Sequence, residues 1–469
     1  MEYALTYMHY IYLAVIILVI VLMIAKHDIV IPCVLGLFVI GFCYNNFNVI
    51  AGAQTIFNGM MVAGADLFDI MLIIALMVAM LKSLTHMKAD QLMIAPVVKL
   101  LKKPTTAFWV LAAVMYICAT FFWPTPATAL VGTILIPIAM TCGLKPMLAC
   151  IAINLAGHGM ALSGDLVLQG APALTSGAAG VPIESVLKYG AIFAFVTGII
   201  ALVSAFVINR KDFVVDQTSA AKAAALQNSD PSNSEKTPPY AKFFAILVPV
   251  VYIAIVIRIL MGATIEGVAS IFGGDATALL GGSAALLLVV ATAVDCKKDF
   301  LEKCVEYLRD GMLFSIKIFA PVIPIAAFFF MGNPESVQSI LDSNAPGFLF
   351  DLGGAFGTVL PLNAPTLAIG IALVGAITGL DGSGFSGIPL VAGLAAALAG
   401  PAGYNVAVLA SLGQVAAIWV GGGCLSAWAF GAVASAGVAG ISSAELVRKN
   451  LVPVVGGLAV STIIAIILL

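Results

Sequence analysis

What limits this chain most is a succession of apolar runs that begins at Tyr10–Ala25 and ends at Leu451–Leu469. A helix that crosses a hydrocarbon core of about 30 Å needs roughly 20 apolar residues, since each residue advances it by about 1.5 Å. Runs near that length recur at Ile29–Cys43, Leu67–Leu81, Ala107–Phe122, Ala127–Met140, Met147–Leu162 and Val186–Val207. They return at Phe243–Leu260, Ala276–Val294, Met312–Met331, Pro365–Leu380, Ile388–Ala399 and Val406–Val420. Only 9% of the residues are charged and 62% are hydrophobic, whereas a soluble domain carries about 25% charge. The pattern predicts an all-α polytopic membrane protein with about 11–14 membrane segments, multi-pass in the cell (inner) membrane. The bilayer is its first partner, and a net charge of −2 leaves no footprint for nucleic acid.

One stretch breaks the pattern. From Arg210 to Lys242 the chain is polar and rich in Ser, Asn, Pro and Lys, which predicts a disordered cytoplasmic linker. It separates a first transmembrane repeat, residues 1–209, from a second, residues 243–469. Basic residues cluster at Lys82–Lys103, in the linker, at Lys297–Arg309 and at Arg448-Lys449. The excess of Lys and Arg on cytoplasmic loops places these inside and the N-terminus outside. Residues 87–101 and 333–341 are amphipathic and suit the membrane interface. The eight cysteines form no CxxC pair and read as small packing residues.

The halves repeat one another. Pro104-Thr-Thr and Pro365-Thr366 open corresponding helices, and breaks at Trp123 and Gly384 follow. Further on, Ala179-Gly180 and Glu184 to Lys188 parallel Ala439-Gly440 and Glu445 to Arg448. By the basic-residue rule Lys188 lies outside and Arg448 inside, so the repeats are expected to run in opposite directions. Inverted-topology repeats with discontinuous helices and re-entrant hairpins are a common carrier plan.

Four breaks punctuate the repeats: Trp123–Thr128, Ser163–Gln169, Leu380–Ser386 and Val420–Ser426. A broken helix leaves about four backbone groups unpaired at each end, donors at the N-terminus and carbonyls at the C-terminus. Such ends suit an anion and a cation respectively. Expected solute-binding groups are Thr125, Thr128, Ser163, Gly164, Ser383, Ser386 and Gly422, with the amides of Asn154 and Gln414. Carboxylates inside a membrane are expensive and point to function, so Asp165 and Asp381 are expected to couple to an ion. His158, roughly two helical turns before Asp165, is expected on the same face and able to carry a proton. Asp66 and Asp69 read as acidic residues near a helix start. Na⁺ is a candidate near Asp165 and Asp381; no structural metal and no other cofactor is expected. P-loop, HExxH and GxSxG signatures are absent, which argues against an enzyme.

The segment Ser163-Gly-Asp-Leu-Val-Leu-Gln169, followed by Ile183-Glu-Ser-Val-Leu-Lys188, resembles a stretch of the DcuC-type C4-dicarboxylate carriers. More widely it resembles the ion transporter superfamily of citrate, dicarboxylate and NhaC-type carriers. Thr125-Pro-Ala-Thr128 and Asp381-Gly-Ser-Gly384 replace the Ser-Asn-Thr tips of the sodium-coupled members. The resemblance implies a secondary carrier of a small organic anion, a di- or tricarboxylate, driven by H⁺ or Na⁺. A Na⁺/H⁺ antiporter without organic substrate and a non-transport scaffold or enzyme are the alternatives. A homodimer is left open.

Overall fold

The computed structural model describes residues 5–24, 27, 29–213, 237–264, 274–359, 362–382, 384–427 and 429–469. The linker residues 214–236, where disorder is expected, lie outside the described residues. The described chain is helical throughout, with no strand. The first half contains α1 (Tyr7–Ile24), α2 (Val30–Tyr44), α3 (Val49–His86), α4 (Ala89–Val98), α5 (Pro104–Phe122), α6 (Pro124–Thr141), α7 (Pro146–Gly164), α8 (Gly170–Ala179) and α9 (Ile183–Ile208). Then come α10 (Ala241–Thr264), α11 (Gly274–Cys296), α12 (Phe300–Phe319), α13 (Val322–Phe330), α14 (Pro334–Ile340) and α15 (Phe348–Val359). The chain closes with α16 (Ala364–Thr378), α17 (Ile388–Ala399), α18 (Val406–Cys424), α19 (Phe430–Ala439) and α20 (Ser443–Leu468).

Nine stretches among the described residues are long and apolar enough to cross a membrane, and shorter apolar helices accompany them. Large apolar side chains such as Ile31 on α2, Ile246 on α10, Leu286 on α11 and Ile467 on α20 face outward. An aqueous surface would not carry so many of them together, and a lipid one does. The protein is an all-α polytopic membrane protein.

Two expectations are corrected. Asp66 and Asp69 lie in the interior of α3, not at its start. The first turns of α3 carry Gln54, Asn58, Gly59 and Gly64, which dilute its hydropathy and hide half of the helix. The expected run Met312–Met331 is two helices, α12 and α13, because Pro321 cannot supply an N–H to continue the first.

The element order from α5 to α9 recurs from α16 to α20. α5, α6, α16 and α17 each carry Pro in the first two positions, where a missing N–H costs nothing. α8 and α19 both end on a left-handed glycine, Gly180 (φ 64°) and Gly440 (φ 65°). α7 and α18 both pass into π-helix, at Asn154–Ala161 and Val420–Cys424. These two are the central helices, 94% buried in each case.

Side-chain contacts fix the directions. At one face Lys145, which precedes α7, pairs with Asp212 beyond the end of α9 at 2.7 Å. Lys449, near the start of α20, reaches Asn209 at 3.0 Å on the same face. In mid-helix the hydroxyls of Thr197 and Ser461 meet at 2.7 Å, so α9 and α20 run antiparallel. At the opposite face Asn405, which caps α18, donates to the Tyr189 hydroxyl at 3.2 Å near the start of α9. α18 therefore starts where α9 starts, while α7 starts where α9 ends, and these central helices are antiparallel too. The packing crosses the linker throughout: α3 lies on α11, α12 and α13, α8 on α17, α6 on α19, and α9 on α18 and α20.

Candidate functional site

α5 and α6 form a hairpin whose base lies on the Lys145 face, where Cys142 donates to the Leu101 carbonyl and Phe108 meets Phe213. α16 and α17 form a second hairpin, and its far end runs through Tyr404 into Asn405 on the opposite face. Their tips meet: the rings of Trp123 and Phe385 lie 5.4 Å apart at 39°. Hairpins that approach from opposite faces and touch at their tips must each turn back inside the molecule.

The first tip is tightly determined. Trp123 sits at φ 68°, ψ 143°, outside the regions open to most side chains. Such backbone persists where its surroundings over-determine it, and it clusters at functional sites. Pro124 and Pro126 lack N–H groups, so the start of α6 offers an anion few backbone donors. Hydroxyls stand in: the Oγ1 atoms of Thr125 and Thr128 are buried and have no hydrogen-bond partner among the described residues.

Beside the tips the two π-helical segments cross. The Trp419 indole fills the space above Gly159, and a side chain at Gly422 would meet the His158 carbonyl. Glycines at 384, 421 and 422 bring the second tip and the end of α18 into backbone contact, closer than any side chain would permit. The π-helical segment, with its i→i+5 bonds, carries His158, and Asp165 lies just beyond its end. The His158 ring lies over Gly431 and beside Phe430, and neither ring nitrogen has a partner among the described residues. Asp165 is a left-handed residue (φ 38°), and its carboxylate accepts from the Ala171 amide at 2.9 Å. It caps the N-terminus of α8.

The remaining expected residues divide by what they touch. Asn154 accepts from Asn450 at 2.9 Å and donates weakly to Gly431 and Ser435 at 3.4 Å each, fastening α7 to α19 and α20. Gln414 donates to the Ser163 carbonyl at 2.9 Å and accepts from Thr175, so both ends of its amide are held by protein. Ser163 bonds to Met160 at 3.4 Å, and Gly164 lets α7 approach Ala194 of α9. Ser386 is buried at the second tip. Ser383 and the Asp381 side chain lie outside the described residues.

Four further polar groups were not singled out as binding residues from sequence: Trp123 Nε1, Gln169 Oε1, Trp419 Nε1 and Ser426 Oγ are buried without partners among the described residues. Their signal was position, since each stands inside or next to a break. A cleft of about 720 Å³ leads to the first tip. Thr125, Pro126, Ala129 and Thr133 of α6 form one wall, with Thr85 of α3, Asp90 of α4 and Phe314 of α12 opposite. Lys82 and His86, about half exposed, flank it.

No family model matches the chain. It is 34% identical over 473 aligned positions to the uncharacterized membrane protein YhfA of Bacillus subtilis (strain 168), covering 100% of both chains. The chain belongs to the family of that membrane protein.

Proposed function

We propose that this protein is an ion-coupled secondary transporter of a small organic anion of the di- or tricarboxylate class. The observation that carries the reading is that buried polar groups without a partner among the described residues stand in or next to the helix breaks and π-helical segments: Trp123, Thr125, Thr128, His158, Gln169, Trp419 and Ser426. A buried polar group without a partner costs about 1–3 kcal/mol, so a cluster of them calls for a ligand that satisfies it. Two indole N–H groups and three hydroxyls are donors, and an acceptor-rich carboxylate fits them. The cleft gives that ligand a path from the Lys145 face.

In this reading residues 1–209 and 243–469 are inverted repeats joined by 210–242. The antiparallel pairs α7 with α18 and α9 with α20, and the opposed hairpins, support it. Asp165, with Asp381 and His158, would couple transport to Na⁺ or H⁺, and the likeness of Ser163–Gln169 to carrier sequences belongs to the same argument. Residence in the inner membrane and a homodimeric assembly complete the proposal. Alternating access would carry the tip region from one face to the other.

The test is uptake of radiolabelled succinate and citrate into proteoliposomes under an imposed Na⁺ or pH gradient. Saturable accumulation under one gradient is expected. Exchange of Na⁺ for H⁺ with no carboxylate uptake would replace this reading with an antiporter, and no flux of either kind would end it.

A further inference from the structure

Away from the hairpin tips, three side chains of metal-binding type converge beside the cleft. His86 ends α3, and Asp295 and Cys296 end α11. One donor atom from each, a ring nitrogen, a carboxylate oxygen and the thiol sulfur, lies within 4.8 Å of the other two. His86 Nδ1 pairs with Asp295 Oδ2. The other carboxylate oxygen, Oδ1, accepts from the Tyr240 hydroxyl at 2.7 Å, from just before α10.

An ion pair alone would account for His86 and Asp295, but it has no use for a thiol. Cys33, Cys43, Cys118, Cys150 and Cys424 are buried packing residues, whereas Cys296, like Cys142 and Cys304, is half-buried, and of these three it alone stands in a group of metal-binding type among the described residues. Tyr240 supplies what a metal site needs behind its ligands, a hydrogen bond that fixes one carboxylate oxygen and leaves the other aimed at the centre.

We propose that His86, Asp295 and Cys296 bind a divalent transition-metal ion of the Zn²⁺ type. A mixed nitrogen, oxygen and sulfur set suits a borderline-soft ion, while Ca²⁺ and Mg²⁺ take oxygen ligands. Donors about 2.0–2.3 Å from one tetrahedral ion stand roughly 3–4 Å apart, so small side-chain adjustments close the site. Binding displaces the proton of the Cys296 thiol, which leaves to solvent, and puts the ion in place of the His86–Asp295 hydrogen bond, the ring keeping its one proton on Nε2 while Nδ1 faces the ion. Three protein ligands leave a fourth position for water. The ion would join the ends of α3 and α11 beside the cleft.

Full-length protein, purified in detergent and washed with EDTA, is titrated with Co²⁺ and then with Zn²⁺. One equivalent of Co²⁺ is expected to bind with a thiolate-to-cobalt charge-transfer band, and Zn²⁺ to abolish the band by displacement. Cys296→Ser removes the band, and Cys304→Ser keeps it. His86→Ala weakens binding at least about tenfold, and Tyr240→Phe, which removes a positioning residue, weakens it by about tenfold with the band intact. Melting temperatures in EDTA equal to wild type show that the variants are folded, and Cys296→Ala replaces Cys296→Ser should the latter melt early. No band in the wild type, a band that survives loss of Cys296, or one lost with Cys304 overturns the proposal.

Discussion

The indole of Trp419, the last residue before the second π-helical segment, lies directly over Gly159 of the first, so the two central helices meet at a point where one residue has no side chain and the other has the largest. A methyl group at Gly159 would overlap the indole carbons. Gly159→Ala is expected to destabilise the protein by about 1–3 kcal/mol through overpacking. Thermal melting in detergent reads this, and Trp419→Leu in the same chain should recover most of the loss. An unchanged melting temperature for Gly159→Ala alone would contradict the crossing.

Asn154 and Asn450 share a hydrogen bond at 2.9 Å between fully buried amides. Asn154→Leu leaves the Asn450 amide without that acceptor and should cost about 1–3 kcal/mol. The double variant with Asn450→Leu removes both partners and is expected to be more stable than Asn154→Leu. A double-mutant cycle that shows plain additivity would deny the pairing.

Thr125 and Thr128 behave differently if their hydroxyls serve a ligand. Thr128→Val removes an unsatisfied buried hydroxyl, so stability should hold or rise by up to about 1 kcal/mol. Uptake should weaken about tenfold in apparent affinity, near 1.4 kcal/mol. Loss of stability together with unchanged uptake would assign Thr128 to packing instead.

The cleft has a direction. In a cysteine-free background Thr133→Cys is expected to react with a membrane-impermeant maleimide from the Lys145 face, the side that bears the linker. Leu286→Cys, which faces outward on α11, should not react from either side. Labelling of Thr133→Cys only from the other side would refute the assignment.

The Lys145–Asp212 pair sets a pH dependence. The hydrogen bond from Lys145 holds the Asp212 carboxyl below its ordinary value, with the Lys145 and Lys449 charges adding to it against partial burial. A lowered folded value means that the unfolded chain takes up a proton first as acid is added. The stabilisation is therefore complete at neutral pH and is lost as pH falls below the ordinary carboxylate range. Both side chains are 40% exposed, so its size is at most about 1 kcal/mol. Asp212→Asn should lower the melting temperature slightly at pH 7 and make no difference in strong acid.

Hydropathy alone located α16, α17 and α20 to within a few residues at their clearer ends, because a long apolar run has few other uses in a chain this poor in charge. The breaks at Trp123 and Ser163–Gln169 were legible from their Pro, Gly and hydroxyl content. The π winding was not, since Asn154–Ala161 has no composition that separates it from α-helix. Nor were the partners of Asn154 and Gln414, which come from the other half of the chain. Side chains that look free in sequence become structural when a distant segment folds against them. Only part of the candidate cluster was therefore legible: Thr125 and Thr128 stand at a break marked by its prolines, while Trp123, Gln169, Trp419 and Ser426 emerged as buried polar groups only from the packing.

The prolines at 124 and 126 have a consequence for evolution. A site built on main-chain amides is inherited with its backbone and changes slowly. Here the first hairpin tip offers few amides, and under the proposed carrier reading recognition would fall to a handful of side chains that single base changes can replace. Under the same reading, kinship at 34% identity would preserve the architecture more faithfully than the cargo, and two members of this family could diverge in what they carry without altering how they fold.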